Sequence, residues 1–396
     1  MMRPRSYRRV LIAATALSVM SSPLVMIDGA QAVDAPGARP TGAGGAVPPP
    51  QTGDLLYRVT PLISLPGMDR AAVTTGVDVT DASMLLVRIG PALPGHGDDG
   101  SGGFLTGPGT IGARLNLLKT CPGGEPENWR PVAANARGNV MGVGECRSWE
   151  DSQVSQLSVV WSSLDDFSET VDECPAGSGC RVDAVALNAR GAALTTKEMT
   201  VAHSLVTNVT GGGQSRELVA EQDGMQVRGT ALADDGTVVG VMQVRVGGTT
   251  VWQPFVAPGR AQTPVPLPLP AGIPASAVGS EVRLLTSPDG KMIIARIGDS
   301  VVSWDAARTA TISAAGSGFV PVDIAADHVV VGRTPQGPAL WRGGIVRSVQ
   351  VRRLPGDARL VDAGAINKHH QIAATMGYPD GRRKAVLISP VPPTER

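Results

Sequence analysis

One short pattern recurs seven times along the chain: a β-prone apolar run, a tight turn, then a second apolar run. The seven copies are VDVTDASMLLV, AANARGNVMGV, ALNARGAALTT, ALADDGTVVGV, LTSPDGKMIIA, IAADHVVVGRT and AINKHHQIAAT, with turn positions Ser83, Gly138, Gly191, Gly236, Gly290, His328 and His370. Successive turns are separated by 55, 53, 45, 54, 38 and 42 residues. Two short β-prone runs flanking such a turn read as a hairpin. Downstream of each hairpin lies a further apolar run (GGFLT, SVVWS, HSLVT, QPFVA, VVSWD, PALWR, KAVLI), and often a fourth, such as ARLNLL or IVRSVQV. Four strands per unit, repeated at this period, predict a β-propeller. A single small sheet cannot bury both of its faces, so each unit needs a neighbour on either side.

The seventh unit ends at VLISPVPPTER with no fourth strand, whereas LLYRVTPLISL (Leu55 to Leu65) precedes the first unit as an orphan. Letting the orphan complete the last blade closes the ring and removes two exposed sheet edges. The predicted fold is therefore all-β: a seven-bladed propeller of four-stranded blades, closed by the N-terminal strand. Two tandem β-sandwiches would also give short strands and turns, but explain neither the recurring turn nor the incomplete last unit. Composition agrees. Apolar residues make up 42% and aromatics 3%, with 49 glycines and 32 prolines, which suits short strands and turns better than long helices.

The runs AINKHHQIAATMGYPDGRRKAVLISP, ALADDGTVVG and PALWRGG resemble the extracellular repeat family called HAF, named from a His-Ala-Phe triplet. The resemblance spans Thr75 to Pro390. No unit keeps the triplet: Gln253-Pro254-Phe255 and Lys384-Ala385-Val386 come nearest, and His369-His370 stand where the family often has a polar residue followed by Gly. The resemblance implies propeller-type repeats and an exported location, and brings no catalytic motif.

Residues 1–32 read as a signal peptide. Arg3, Arg5, Arg8 and Arg9 precede the apolar VLIAATALSVM, and Ala30-Gln31-Ala32 offers small residues for cleavage after Ala32. Ser21, Ser22 and Pro23 interrupt the apolar run, which argues against a retained anchor. Residues 33–54 form a Pro/Gly/Ala-rich linker that cannot bury a core, so the propeller occupies residues 55–396. The expected location is secreted, with no stable membrane insertion after cleavage.

Four cysteines in an exported chain predict two disulfides. Cys174 and Cys180 bracket the turn PAGSG, which leaves Cys121 with Cys146. In a propeller, blade-to-blade loops and second-to-third-strand loops emerge on the same face, so all four cysteines share a side. The long segments PALPGHGDDGSGG, CPGGEPENWR, ECRSWEDSQVS and LDDFSETVDECPAGSGC fall on that face too. Glu145, Glu150, Asp151, Asp165 and Asp166 supply carboxylates there, and Trp129 with Trp149 predicts a stacking platform for a sugar or peptide. His96, Asp98 and Asp99 add a polar loop with oxygen ligands but without the spacing of a calcium loop.

Formal net charge is zero, so no nucleic acid or anionic membrane is expected as partner. That total hides an asymmetry: residues 90–180 carry 12 acidic and 5 basic side chains, residues 331–396 carry 4 and 11. No nucleophile elbow, zinc-protease motif or phosphate loop is present, and no cofactor or metal set is read. Two functions follow. The first is a secreted binding module for an extracellular ligand, an envelope polymer or protein, using the disulfide-bridged loops of blades 1–3. The alternative is a secreted hydrolase or lyase acting on a polysaccharide or peptide through the acids of that face.

Overall fold

The computed structural model describes residues 56–62, 72–92, 102–108, 110–114, 121, 123–161, 168–199, 204–211, 214–222 and 224–392. The predicted signal peptide and linker lie outside the described residues, as do His96, Asp98, Asp99, Asp165 and Asp166. Among the described residues no helix is long and apolar enough to cross a membrane.

The chain forms seven small antiparallel sheets, as the repeat predicts. After β1 (Leu56–Thr60), blade 1 holds β2 (Ala72–Val79), β3 (Leu85–Ala92), β4 (Gly102–Gly107) and β5 (Thr110–Arg114). Blade 2 holds β6 (Gly124–Ala134), β7 (Val140–Ser148), β8 (Val154–Trp161) and β9 (Ser168–Cys174). Blade 3 holds β10 (Cys180–Leu187), β11 (Ala193–Met199), β12 (Ser204–Gly211) and β13 (Gln214–Leu218). Blade 4 holds β14 (Val227–Leu232), β15 (Val238–Val246), β16 (Thr249–Ala257) and β17 (Val265–Pro266). Blade 5 holds β18 (Leu284–Thr286), β19 (Ile293–Ile297), β20 (Ser300–Trp304) and β21 (Ala310–Ala315). Blade 6 holds β22 (Val320–Ile324), β23 (Val330–Thr334), β24 (Gly337–Arg342) and β25 (Ile345–Ser348). Then β26 (Gln350–Val351) leads to blade 7 with β27 (Arg359–Ile366), β28 (Ile372–Gly377) and β29 (Arg383–Pro390).

Closure is as the orphan strand predicts. β1 pairs antiparallel with β29, Tyr57 opposite Pro390 and Thr60 opposite Leu387. A feature not anticipated is β26, which adds parallel to β1 and makes the seventh sheet five-stranded. It covers the edge that β1 would otherwise expose.

All seven turn positions adopt positive φ, from 57° at His370 to 91° at Gly236. Each sits fourth in a turn whose N–H donates three residues back: Gly138 to the Asn135 carbonyl, His370 to that of Asn367, both at 2.9 Å. A type I turn followed by a left-handed residue is the three-residue hairpin loop, which explains why glycine fills four of the seven sites.

The core consists of seven seams, one between each pair of neighbouring blades. Strand residues alternate between them. Leu85 and Val87 face blade 7 with Ala373 and Leu387, while Leu86 faces blade 2 with Trp161 and Val140. Likewise Ile293 joins blade 4 and Ile294 joins blade 6. Strands buried on both faces must be apolar at successive positions. That is why VVGV, MIIA and VVVG appear as unbroken runs rather than alternating ones. Trp161, Trp304 and Trp341, on third strands, are buried in these seams.

Candidate functional site

Blade 2 is the elaborated one. Its first two strands pair from Gly124 opposite Ser148 to Ala134 opposite Val140. Most of CPGGEPENWR and the start of ECRSWEDSQVS are therefore strand, not loop; strands poor in apolar residues read like loops because they lack the period-two apolar pattern of a half-buried strand. The ladder is broken by a bulge between Glu127 and Arg130, where Asn128 takes φ 52°.

The bulge corrects the expectation for Trp129. Instead of lying on a loop beside Trp149, its ring is 1% exposed, at the seam with blade 1. A bulge re-aims the side chain that follows it. The indole N–H donates to the Glu145 carbonyl at 3.1 Å, and the ring meets Trp161 edge-on at 5.7 Å. A β-carbon on Gly144 would come within 2.2 Å of that ring, so the glycine leaves the room the indole occupies. Trp149, in the β7–β8 turn, is 72% exposed, and the two-tryptophan platform does not form.

Both predicted disulfides are present. Cys121–Cys146 ties the segment before β6 to the C-terminal part of β7, with a Cα separation of 5.5 Å. Cys146 lies inside β7, which continues to Ser148. Cys174–Cys180 joins the end of β9 to the start of β10 and so staples blade 2 to blade 3.

Between these bridges and the β7–β8 turn lies an open cleft of about 540 Å³. Glu150, Asp151 and Glu173 line it, with Ser148 and Gln153, and no lysine or arginine is among its described lining residues. The turn is ordered by Ser148, whose hydroxyl accepts the Glu150 N–H at 3.2 Å. The Gln153 N–H, then the Ser148 hydroxyl, hold the Asp151 carboxyl below the usual carboxylate range. Arg147, beside the cleft, is occupied: it forks onto Glu127 at 2.7 and 2.9 Å. Glu145 stands apart from the cleft. It accepts from Asn128 at 2.8 Å and borders a smaller cavity of about 220 Å³ beside Cys174–Cys180. The structure thus brings Glu150 and Asp151 together and adds Glu173, which sequence reasoning passed over; its position next to Cys174 was the available signal.

Two further acids went unnoticed. Asp78 and Asp323 hold the same place in the hairpins of blades 1 and 6, five residues before the left-handed position, on first strands that pack against those of neighbouring blades. Each accepts an N–H from the next blade, Asp78 from Ala134 at 2.7 Å and Asp323 from Ile366 at 2.9 Å. Burial first, and then the charge of Asp78, push the Asp323 carboxyl up to about 7. Burial likewise raises Asp78.

No family profile and no curated protein matches the chain. Among solved structures, one similar chain comes from a mitotic checkpoint complex: 12% identity over 93% of this chain and 99% of that one, with a TM-score of 0.45. Another is prolyl oligopeptidase B from Galerina marginata, at 11% identity over 82% of this chain and 50% of that one, TM-score 0.47. A third, the Dos1 propeller, is 6% identical over 84% of this chain and 95% of that one, TM-score 0.44. At such identity nothing about function carries across; the seven-bladed ring stands on the strand pairing itself.

Proposed function

We propose that this protein is a secreted binding module of the HAF type, and that it engages the cationic groups of an extracellular ligand, an envelope polymer or a protein, through the blade 2 cleft. The observation that carries the reading is the cleft's composition: three carboxylates, no basic side chain among its described lining residues, and walls held by two disulfides. A covalently held wall loses little conformational freedom on binding, which favours affinity. Trp149, exposed at the rim, offers a flat apolar face beside the acids. A binding role also suits Asp151 better than hydrolysis. A catalytic proton donor needs a raised pKa, and Asp151 is shifted the other way.

The test is co-sedimentation of the purified protein with the producing cell's envelope fraction, assaying the supernatant for released sugars or peptides. Saturable binding that weakens with salt, and weakens further in Trp149→Ala and in the Glu150→Gln, Asp151→Asn pair, supports the module. Products that accumulate with time would instead favour the hydrolase or lyase.

A further inference from the structure

The opposite face, where the first hairpin turns lie, holds a further cavity of about 630 Å³ between blades 3 and 4. Its volume falls within the range of small-molecule sites. The turn of blade 3 contributes Asn188 and Arg190, and that of blade 4 contributes Asp234, Asp235 and Gly236. The β16–β17 connection of blade 4 adds Arg260 and Gln262. The wall is fastened by a backbone bond from Val219 to the Gln262 carbonyl at 3.0 Å.

The charges of this cavity are unequal in their satisfaction. Arg216 is a tie between the blades: its guanidinium donates to the carbonyls of Ala261 and, at 2.6 Å, Gly236, and burial lowers its pKa. The carboxylates are met by neutral donors. Asp234 takes the Ala189 N–H at 2.8 Å, and Asp235 takes the N–H and hydroxyl of Thr237 at 2.8 and 3.0 Å. Arg190 and Arg260 are different. Neither guanidinium has a hydrogen-bond or ion-pair partner among the described residues. They stand on walls supplied by different blades, and each presents a planar fork of donors that matches carboxylate, phosphate or sulfate oxygens.

We infer that the cavity between blades 3 and 4 is a second binding site, for a small ligand or polymer unit bearing an oxyanion, held between Arg190 and Arg260. Gln214 and Gln262, also lining the cavity, supply neutral donors and acceptors for the uncharged part of such a ligand. The site lies on the other face from the acidic cleft and selects the opposite charge, so the two stand or fall separately.

The experiment is titration calorimetry of the full protein with glucuronate, inorganic phosphate and sulfate in turn, which distinguishes the oxyanion chemistries. The measurement is repeated on Arg190→Gln, Arg260→Gln, the double variant, and Arg245→Ala as a control outside the cavity. Binding of at least one anion by the wild type is expected. Each single variant should weaken it about tenfold, the double should abolish it, and the control should leave it unchanged. Arg190→Lys, which keeps the charge but not the fork, should fall between wild type and Arg190→Gln. Neither guanidinium has a partner among the described residues, so unchanged melting temperatures are expected for all variants. No anion binding tighter than about 10 mM, or binding that survives in the double variant, overturns the inference.

Discussion

The side-chain amide of Asn367 in the last blade donates to the backbone carbonyl of Thr80 in the first, at 2.9 Å. Asn135 donates in the same way to Asn188, at 3.2 Å, and Asn188 to Ala233, at 3.0 Å. The first residue of a hairpin turn thus bonds to the first residue of the next blade's turn, and at Asn367 the bond spans the closure of the ring. Its carbonyl oxygen also accepts the N–H groups of His369 and Gln371.

Asn367 is buried, so losing its amide strands polar groups at the seam where the chain ends meet. Asn367→Ala should destabilise the fold by about 2 kcal/mol. Asn367→Asp should cost at least as much, since it keeps the acceptor but puts a charge against the Thr80 carbonyl. Guanidinium denaturation of the two variants checks this; an Asp variant as stable as wild type would refute the donor role.

Gly144 and Trp129 make a second testable pair. Gly144→Ala should cost about 1–3 kcal/mol by overpacking and should alter Trp129 fluorescence. Combined with Trp129→Phe, the penalty should be less than the sum of the two, because both act on one contact. Strict additivity in a double-mutant cycle would mean the glycine serves the backbone rather than the indole.

The two disulfides should differ in weight. Cys121–Cys146 closes 25 residues and Cys174–Cys180 closes 6. Chain entropy then assigns about 3 kcal/mol to the first and about 2 kcal/mol to the second. Serine pairs at each bridge, compared by denaturant midpoint, should rank in that order.

Stability should also decline as pH rises from about 4 to about 7. Asp323 binds a proton in the native state up to a pKa of about 7, against 3.8 for the ordinary carboxyl. Between those values the native chain holds a proton that the unfolded chain has lost, so stability is fully present below the lower value and lost as pH passes the higher. The effect is at most about 4 kcal/mol. Asp323→Asn should flatten this slope while retaining an acceptor for Ile366. In acid the opposite holds for Asp172, which accepts from Lys197, Thr195 and Asn208 of blade 3 and is held below its usual range. Its contribution is present above the ordinary carboxyl value and disappears as pH falls. Chemical denaturation between pH 3 and 9 should therefore peak on the acidic side of neutral in the wild type, and shift upward in Asp323→Asn.

The candidate site was legible in part. Cysteine spacing and the rule for which loops share a propeller face placed both disulfides and put Glu150 and Asp151 beside them. Trp129 was misread because a single bulge decides whether a tryptophan in a polar stretch points to solvent or to a seam. Glu173 was missed because its membership of the cleft depends on β9 folding back along β8. The cavity at Arg190 and Arg260 joins residues 70 positions apart, which no local pattern connects.

The chain alone determined the ring: its period, the seven left-handed turn positions, the doubly apolar strands and the unpaired first strand all follow from short-range pattern, because each blade is a local structure. Tertiary packing decided most of what lies between blades. Which face a bulged residue takes, which carboxyl is buried beside another, and which arginine is left unpaired depend on neighbours brought close only when the sheets stack, and local periodicity carries no information about those distances.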